Sequence, residues 1–273
     1  VSIALAFSGV IYWLFSGNHI ENPTNLTPTD ATLKYVTGYL IELSLSIDNI
    51  FVIAVIFKSF AIPQKFQHRV LFWGIAGAIV FRAIMIFFGI ILINKFSWLT
   101  YVFGIFLIYT AYKMINSQED EYDPKKSAIY RYSRRIFPVT PTIHGQEFFV
   151  KRRHITAATP LFLALIMIEA TDILFALDSI PAILAITSDP FLVFTSNILA
   201  IMGLRSMYFF IANLLGKFQY IHYSLVVILA FVGIKMLLVH YYHFPEWVSL
   251  GVIFLALAAG ILLSLRKGKT LEQ

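Results

Sequence analysis

Apolar runs of about 18 residues or more recur from one end of this chain to the other, and each is long enough to cross a hydrocarbon core of ~30 Å as a helix. In lipid the backbone must satisfy its own hydrogen bonds, which leaves helices or closed barrels, and barrel strands would be shorter and would alternate. The sequence therefore predicts an all-α fold, a polytopic transmembrane helix bundle. Eight spans are expected, at about 1–17, 32–57, 70–93, 97–115, 158–187, 191–215, 219–240 and 246–265. Hydrophobic residues make up 59% of the 273 and charged residues only 13%, too few to coat a soluble surface.

The basic residues sort by side of the membrane. One set of connections carries Lys58, Lys65 and Arg69, then nine residues from Lys113 to Arg153, then Lys217, then Arg266, Lys267 and Lys269; the other carries Lys95. The rich side is expected to be cytoplasmic, with the C-terminus on it, in a bacterial inner membrane. The net charge of +6 is thus read as topology and not as affinity for nucleic acid. Trp98 and Trp247 at span ends, and Trp73 just inside one, suit interfacial anchors. Val1–Phe15 reads as a trimmed spanning helix rather than a signal peptide. The one long polar stretch, 116–156, with "SQEDEYDPKK" and then "RYSRRIFP", reads as a mobile basic loop near anionic headgroups, with regulation or partner docking as the alternative.

An internal repeat organises the spans. "ELSLSIDNIFVIAVI" from Glu42 aligns with "DILFALDSIPAILAI" from Asp172, placing Glu42 over Asp172, Asp48 over Asp178 and Asn49 over Ser179. "FRAIMIFF" around Arg82 matches "LRSMYFF" around Arg205, and "YKMI" at Lys113 matches "IKML" at Lys235. Each half holds three spans, an odd number, so the halves must be inverted. A single transmembrane domain is expected, with repeat one at about 32–115, the basic loop at 116–157, repeat two at 158–240 and a final helix at 246–265. Inverted repeats meeting near the midplane are a recurring plan of secondary transporters.

Glu42, Asp48, Glu169, Asp172 and Asp178 all fall inside spans. Each charge there costs about 2.5–3.5 kcal/mol or more on insertion scales and needs a counter-charge, a proton or a cation. Arg82 and Arg205 lie mid-span as natural internal partners. If both form ion pairs, three acids remain, the charge that a divalent cation and an exchangeable proton would balance. At about 100° per residue, Glu42, Ser46 and Asn49 form one stripe, while Asp172 and Ser179 repeat two of its positions. Asp48 and Asp178 lie about 120° away on another face. Glu169 is left without an acidic counterpart.

Carboxylate, amide and hydroxyl oxygens suit Mn²⁺, Mg²⁺ or Ca²⁺; the absence of cysteine removes thiolate ligands, disulfides and thiol catalysis. Pro181 removes a backbone donor and is expected to kink or break its helix, freeing the carbonyl of Leu177. Lys235, aligned with Lys113 towards a span end, reads as a snorkelling residue or a movable counter-charge. His240 and His243 read as interfacial residues at an outer helix end. Neither Gly-x-Gly-Asp nor Gly-x-Ser-x-Gly occurs, which disfavours an intramembrane hydrolase built on the Asp pairs. No enzymatic activity and no tightly bound cofactor are expected.

At "GYLIELSLSIDNIFV" (38–52), "IEATDILFALDSIPAI" (168–183), "TSNILAIMGLRSMYF" (195–209) and "GIKMLLV" (233–239), the sequence resembles the TerC family of membrane proteins, named for tellurium resistance and including an alkali-inducible manganese exporter. The resemblance implies a bundle with an acidic metal pathway and a role in Mn²⁺ export or wider metal homeostasis. Carried over by position, Glu42, Asp48, Asn49, Glu169, Asp172, Asp178 and Ser179 occupy the family's acidic motifs, with Arg82 and Arg205 at its arginine positions. Family members usually carry a further span before the first one here. The expected function is export of Mn²⁺ or a similar hard divalent cation by alternating access, with protons as a possible coupling ion. The alternative is a non-transporting assembly factor or a metal or tellurite stress-response factor. Direct passage of the tellurite oxyanion is disfavoured by the acidic interior. The oligomeric state is left open.

Overall fold

A computed structural model describes residues 2–17, 19–116, 124–143, 145–152, 155–211, 221–239, 241–242 and 244–270. Within these, the side chains of residues 47–48, 116, 152, 155, 205–206, 210–211, 221 and 265–270 are not described. The elements in chain order are α1 (Ser2–Ser16), α2 (Pro28–Ser59), α3 (Gln64–Lys95), α4 (Leu99–Asn116), a 3₁₀ turn (Pro124–Lys126), α5 (Ala128–Ile136), β1 (Phe149–Arg152), β2 (Ile155–Ala158), α6 (Pro160–Leu184), α7 (Pro190–Ile211), α8 (Ile221–Leu238) and α9 (Glu246–Thr270). The fold is an all-α polytopic bundle. Pro28–Ser59, Gln64–Lys95, Pro160–Leu184 and Glu246–Ser264 are long and apolar enough to cross a membrane, and Ser2–Ser16, Leu99–Ile115, Pro190–Leu204 and His222–Leu238 are shorter apolar helices. Phe87, Phe88, Ile105, Phe254, Leu255 and Leu262 stand exposed on the outside of the bundle, the surface that lipid would cover.

Helix boundaries follow local chemistry. α2 begins four residues earlier than the sequence predicts, because the Thr27 hydroxyl accepts the Asp30 amide and Pro28 occupies the first turn, where its missing N–H costs nothing. Asp189 does the same for α7, accepting from the amides of Phe191 at 3.0 Å and Leu192 at 3.1 Å ahead of Pro190. α6 runs through Pro181 as one helix and ends at Leu184, so the break expected beside Asp178 does not occur.

The packing has an exchange symmetry. α2 lies on α7 while its counterpart α6 lies on α3; α2 also meets α6, α3 meets α7, and α4 meets α8. The self-paired contacts run antiparallel. A Cβ on Gly104 would approach the Gly233 carbonyl to 3.0 Å, whereas Met114 lies near His222, whose Nε2 is 3.1 Å from the Met114 carbonyl. Equivalent helices that meet antiparallel are what an inverted repeat requires. The backbone crossing at Gly104 and Gly233 is close because neither residue carries a side chain.

α1 and α9 lie outside this symmetry. The Tyr35 hydroxyl of α2 donates to the Ala4 carbonyl of α1 at 2.9 Å, and the Ser224 hydroxyl of α8 donates to the Ala256 carbonyl of α9 at 2.7 Å. At the basic end of the bundle, the stretch read as a mobile loop is built in its described part. α5, capped by Ser127, precedes an antiparallel hairpin that pairs Val150 with Ala157. Ile129, Tyr130, Val139, Ile143 and Phe148 pack on a buried cluster containing Phe57, Phe60, Leu161 and Tyr208. Its polar composition hid these anchors, which are single apolar residues spread over twenty positions.

Candidate cation site

α3 carries its small residues Gly74 and Ala78 on the face that receives α6, and the close approach brings Asp172 of α6 alongside Arg82 of α3. Arg82 is 1% exposed and is among the largest fully buried side chains. Its Nη2 donates to Asp172 Oδ1 at 2.9 Å and its Nε to Asp172 Oδ2 at 3.2 Å, a two-pronged ion pair. Nη1 forms a buried salt bridge with Glu42 of α2 and donates to Ser179 Oγ at 3.2 Å and Asn197 Oδ1 of α7 at 3.4 Å. Asn197 Nδ2 in turn donates to Glu42 Oε2 at 3.0 Å. One guanidinium therefore bridges an acid from each half of the repeat.

The four residues read as a repeated stripe come together here. Glu42 and Ser179 share Arg82 Nη1, while Asn49 Nδ2 lies 3.5 Å from Asp172 Oδ1. Exchanging the halves turns the first pair into the second, so the two contacts are symmetry mates across antiparallel α2 and α6. Two acids with one arginine leave a negative charge of one within this cluster.

The remaining candidates are placed separately. Glu169 lies one turn before Asp172, pressed into the notch of Gly77 on α3, where any Cβ would collide with its carboxylate. Its repeat counterpart is Tyr39, buried beside Ala4 and Ala200. The asymmetric acid thus occupies a position that the other half fills with a phenol. Asp178 faces α4 and accepts from Thr110 Oγ1 at 3.0 Å, away from Arg82. Lys235 is buried and tied to α9, donating to Ser249 Oγ at 3.0 Å and to Glu246 at 3.5 Å, with Lys34 on the other side of Glu246 at 3.0 Å. It is held inside the bundle as an ion-paired lysine, with Glu246 between it and Lys34. The side chains of Asp48 and Arg205, and both His240 and His243, lie outside the described residues.

Among the described residues no three His, Cys, Asp or Glu side chains converge as a ready-made metal cage. Ser46 Oγ, Asn49 Oδ1 and Glu169 Oε2 are buried with no hydrogen-bond partner among the described atoms. Such oxygens are costly inside a protein and are the kind a hard cation would satisfy. Asn49, Thr171 and Asp172 line a cavity of about 30 Å³ whose other walls include Ile53, Leu71, Gly74 and Ala78. Asn197 and Thr110 were missed by sequence reasoning. Asn197, an amide inside an apolar run eight residues before Arg205, was the available signal.

A family described as the integral membrane protein TerC family matches residues 27–271. The chain belongs to the TerC family. It is 48% identical over 269 residues to a membrane protein of Myxococcus xanthus, STKORF319, covering 98% of this chain and 81% of that protein. It is 44% identical over 254 residues to a protein of Escherichia coli strain K12 named as a proposed membrane-bound redox modulator, Alx, covering 93% of this chain and 78% of that one. A membrane protein of Rickettsia bellii is 50% identical over 235 residues, covering 86% of this chain and 78% of its own length. No solved structure matches. The TerC match takes in α2 to α9, and with them every residue of the Arg82 cluster.

Proposed function

We propose that this TerC protein exports Mn²⁺ or a similar hard divalent cation by alternating access, with its cytoplasmic side at the basic loops and its C-terminus there in a bacterial inner membrane. The observation that carries the reading is the symmetric joining of Glu42 and Asp172 from inverted halves beside buried, unpartnered oxygens of Ser46, Asn49 and Glu169. A scaffold with no cargo gains nothing from leaving such atoms unsatisfied. Rocking one half against the other would expose the site first to one side and then to the other. Protons are the natural coupling ion, since a carboxylate that takes a proton gives up its metal. The role is that of a carrier without enzymatic chemistry or a resident cofactor.

Reconstituted vesicles loaded with Mn²⁺, Mg²⁺ or Ca²⁺ and a pH-sensitive dye test the reading. Metal release with counterflow of protons, lost in Asp172→Asn, is the expected result; no flux of any divalent cation from well-folded protein overturns it.

A second reading, an assembly or stress factor, draws on the structured basic segment at α5 and the hairpin. It expects shortening of 128–152 to be more harmful than loss of Asp172. A redox role such as the Escherichia coli relative's name describes would proceed without thiol chemistry here, because the chain has no cysteine.

A further inference from the structure

Arg82 occupies the centre of the site proposed for the cargo, and its guanidinium consumes both oxygens of Asp172. A cation and a guanidinium cannot hold the same carboxylate edge-on at once. The cavity of about 30 Å³ touches Asp172 and Asn49 but has neither Arg82 nor Glu42 among its lining residues. Asn49, 4% exposed, lines it with its Oδ1 unpartnered. Glu169, three residues before Asp172 on α6, has an unpartnered carboxylate oxygen and rests in the notch of Gly77, outside that lining.

We infer that Arg82 is a tethered stand-in for the transported cation, competing with it for Asp172. The inference rests on the export reading and deepens it. In the arginine-bound state described above, Arg82 holds Glu42 and Asp172 together and the halves are clamped. When the divalent cation arrives, Asp172 passes from Arg82 to the cavity, where Asn49 Oδ1 lies, and Glu169 turns out of the Gly77 notch to complete an oxygen set with two carboxylates. Arg82 keeps Glu42, Asn197 and Ser179, so the remaining ion pair is neutral, and Asp172, released from Arg82, joins Glu169 to match a charge of two. Glu169, which the repeat symmetry leaves without an acidic mate, thereby has a reason to be acidic. The empty carrier is also spared the cost of reorienting with a bare Asp172, because a charge of its own takes the place of the cargo there.

The test compares wild type, Arg82→Gln and Arg82→Lys, using Mn²⁺ alone as the probe. Affinity is measured by calorimetry on purified protein. Transport is measured in vesicles as net release into metal-free buffer and as exchange of labelled for unlabelled Mn²⁺. Removing the competing charge is expected to tighten Mn²⁺ binding about tenfold or more. Net release should fall because the empty carrier cannot return, while exchange persists. Arg82→Lys, which keeps the charge but loses the two-pronged grip, should tighten binding by a smaller factor, and it carries the test alone if Arg82→Gln does not fold. Unchanged or weaker Mn²⁺ affinity in the folded variants, or equal loss of release and exchange, overturns the stand-in role and leaves Arg82 as a structural clamp. Absence of Mn²⁺ binding and flux in the wild type is a different result, which overturns the export reading and this inference with it.

Discussion

The carboxylate of Glu169 on α6 fills the space that any side chain at Gly77 on α3 would need. The pair works as knob and notch at the interface where Asp172 meets Arg82, so the backbone spacing of α3 and α6 sets the geometry of the whole cluster. A glycine there serves close approach, not conformational freedom.

Gly77→Ala should therefore turn the Glu169 carboxylate out of the notch, and because that group is the end of a flexible side chain the loss of stability should be about 1 kcal/mol, the low end for overpacking. Thermal unfolding in detergent measures it. The same substitution at Gly203, whose Cβ would meet nothing within 4 Å, is expected to be neutral. Equal effects at both glycines would show that the notch has no special role.

Asp172→Asn leaves Arg82 with one acid in place of two. The Arg82–Glu42 pair that remains is neutral, so the cost is that of the lost charge-assisted hydrogen bonds to Asp172, about 1.5–3 kcal/mol. Asp172→Asn is expected to lower the unfolding midpoint more than Asp178→Asn, since Asp178 meets the Thr110 hydroxyl with the exposed Lys113 on the same helix, whereas Asp172 is gripped by a buried guanidinium. Similar losses in the two variants would remove Asp172 from its central place.

Whole-cell manganese should rise in strains that rely on Asp178→Asn or Asp48→Asn protein, if both acids line the route of export. Thr110→Val isolates the Asp178 contact, because it removes the hydroxyl donor and keeps the carboxylate. Retention equal to wild type in Asp178→Asn and Asp48→Asn, with the proteins present in the membrane, would take these two residues out of the pathway.

Glu246 lies between Lys34 and Lys235 and joins α2, α8 and α9 at the end of the bundle away from the basic loops. Glu246→Gln strands two ammonium groups, one of them buried, at a cost of about 1–3 kcal/mol for lost charge-assisted hydrogen bonds. Differential scanning of the variant checks this; a midpoint equal to wild type would mean that Ser249 and the Ile186 carbonyl suffice for the two lysines.

The sequence by itself determined that the chain is a bundle of apolar helices, that two three-helix units repeat in opposite orientation, and that acids sit where lipid demands partners. Run length, charge asymmetry and register are one-dimensional properties, and a helix of constant period turns them directly into spans and faces. The stripe of Glu42, Ser46 and Asn49, and its echo at Asp172 and Ser179, was legible for that reason. Only the tertiary structure decided which acids meet. Periodicity tells which way a side chain leaves its helix, but not which helix it faces, and that depended on small residues: Gly104 and Gly233 let their backbones approach, and Gly77 leaves room for the Glu169 carboxylate. So one arginine came to hold Glu42 and Asp172 together, Asn197 entered from α7, Asp178 turned to α4, and Glu169 was set into α3 without a hydrogen-bond partner for one of its oxygens.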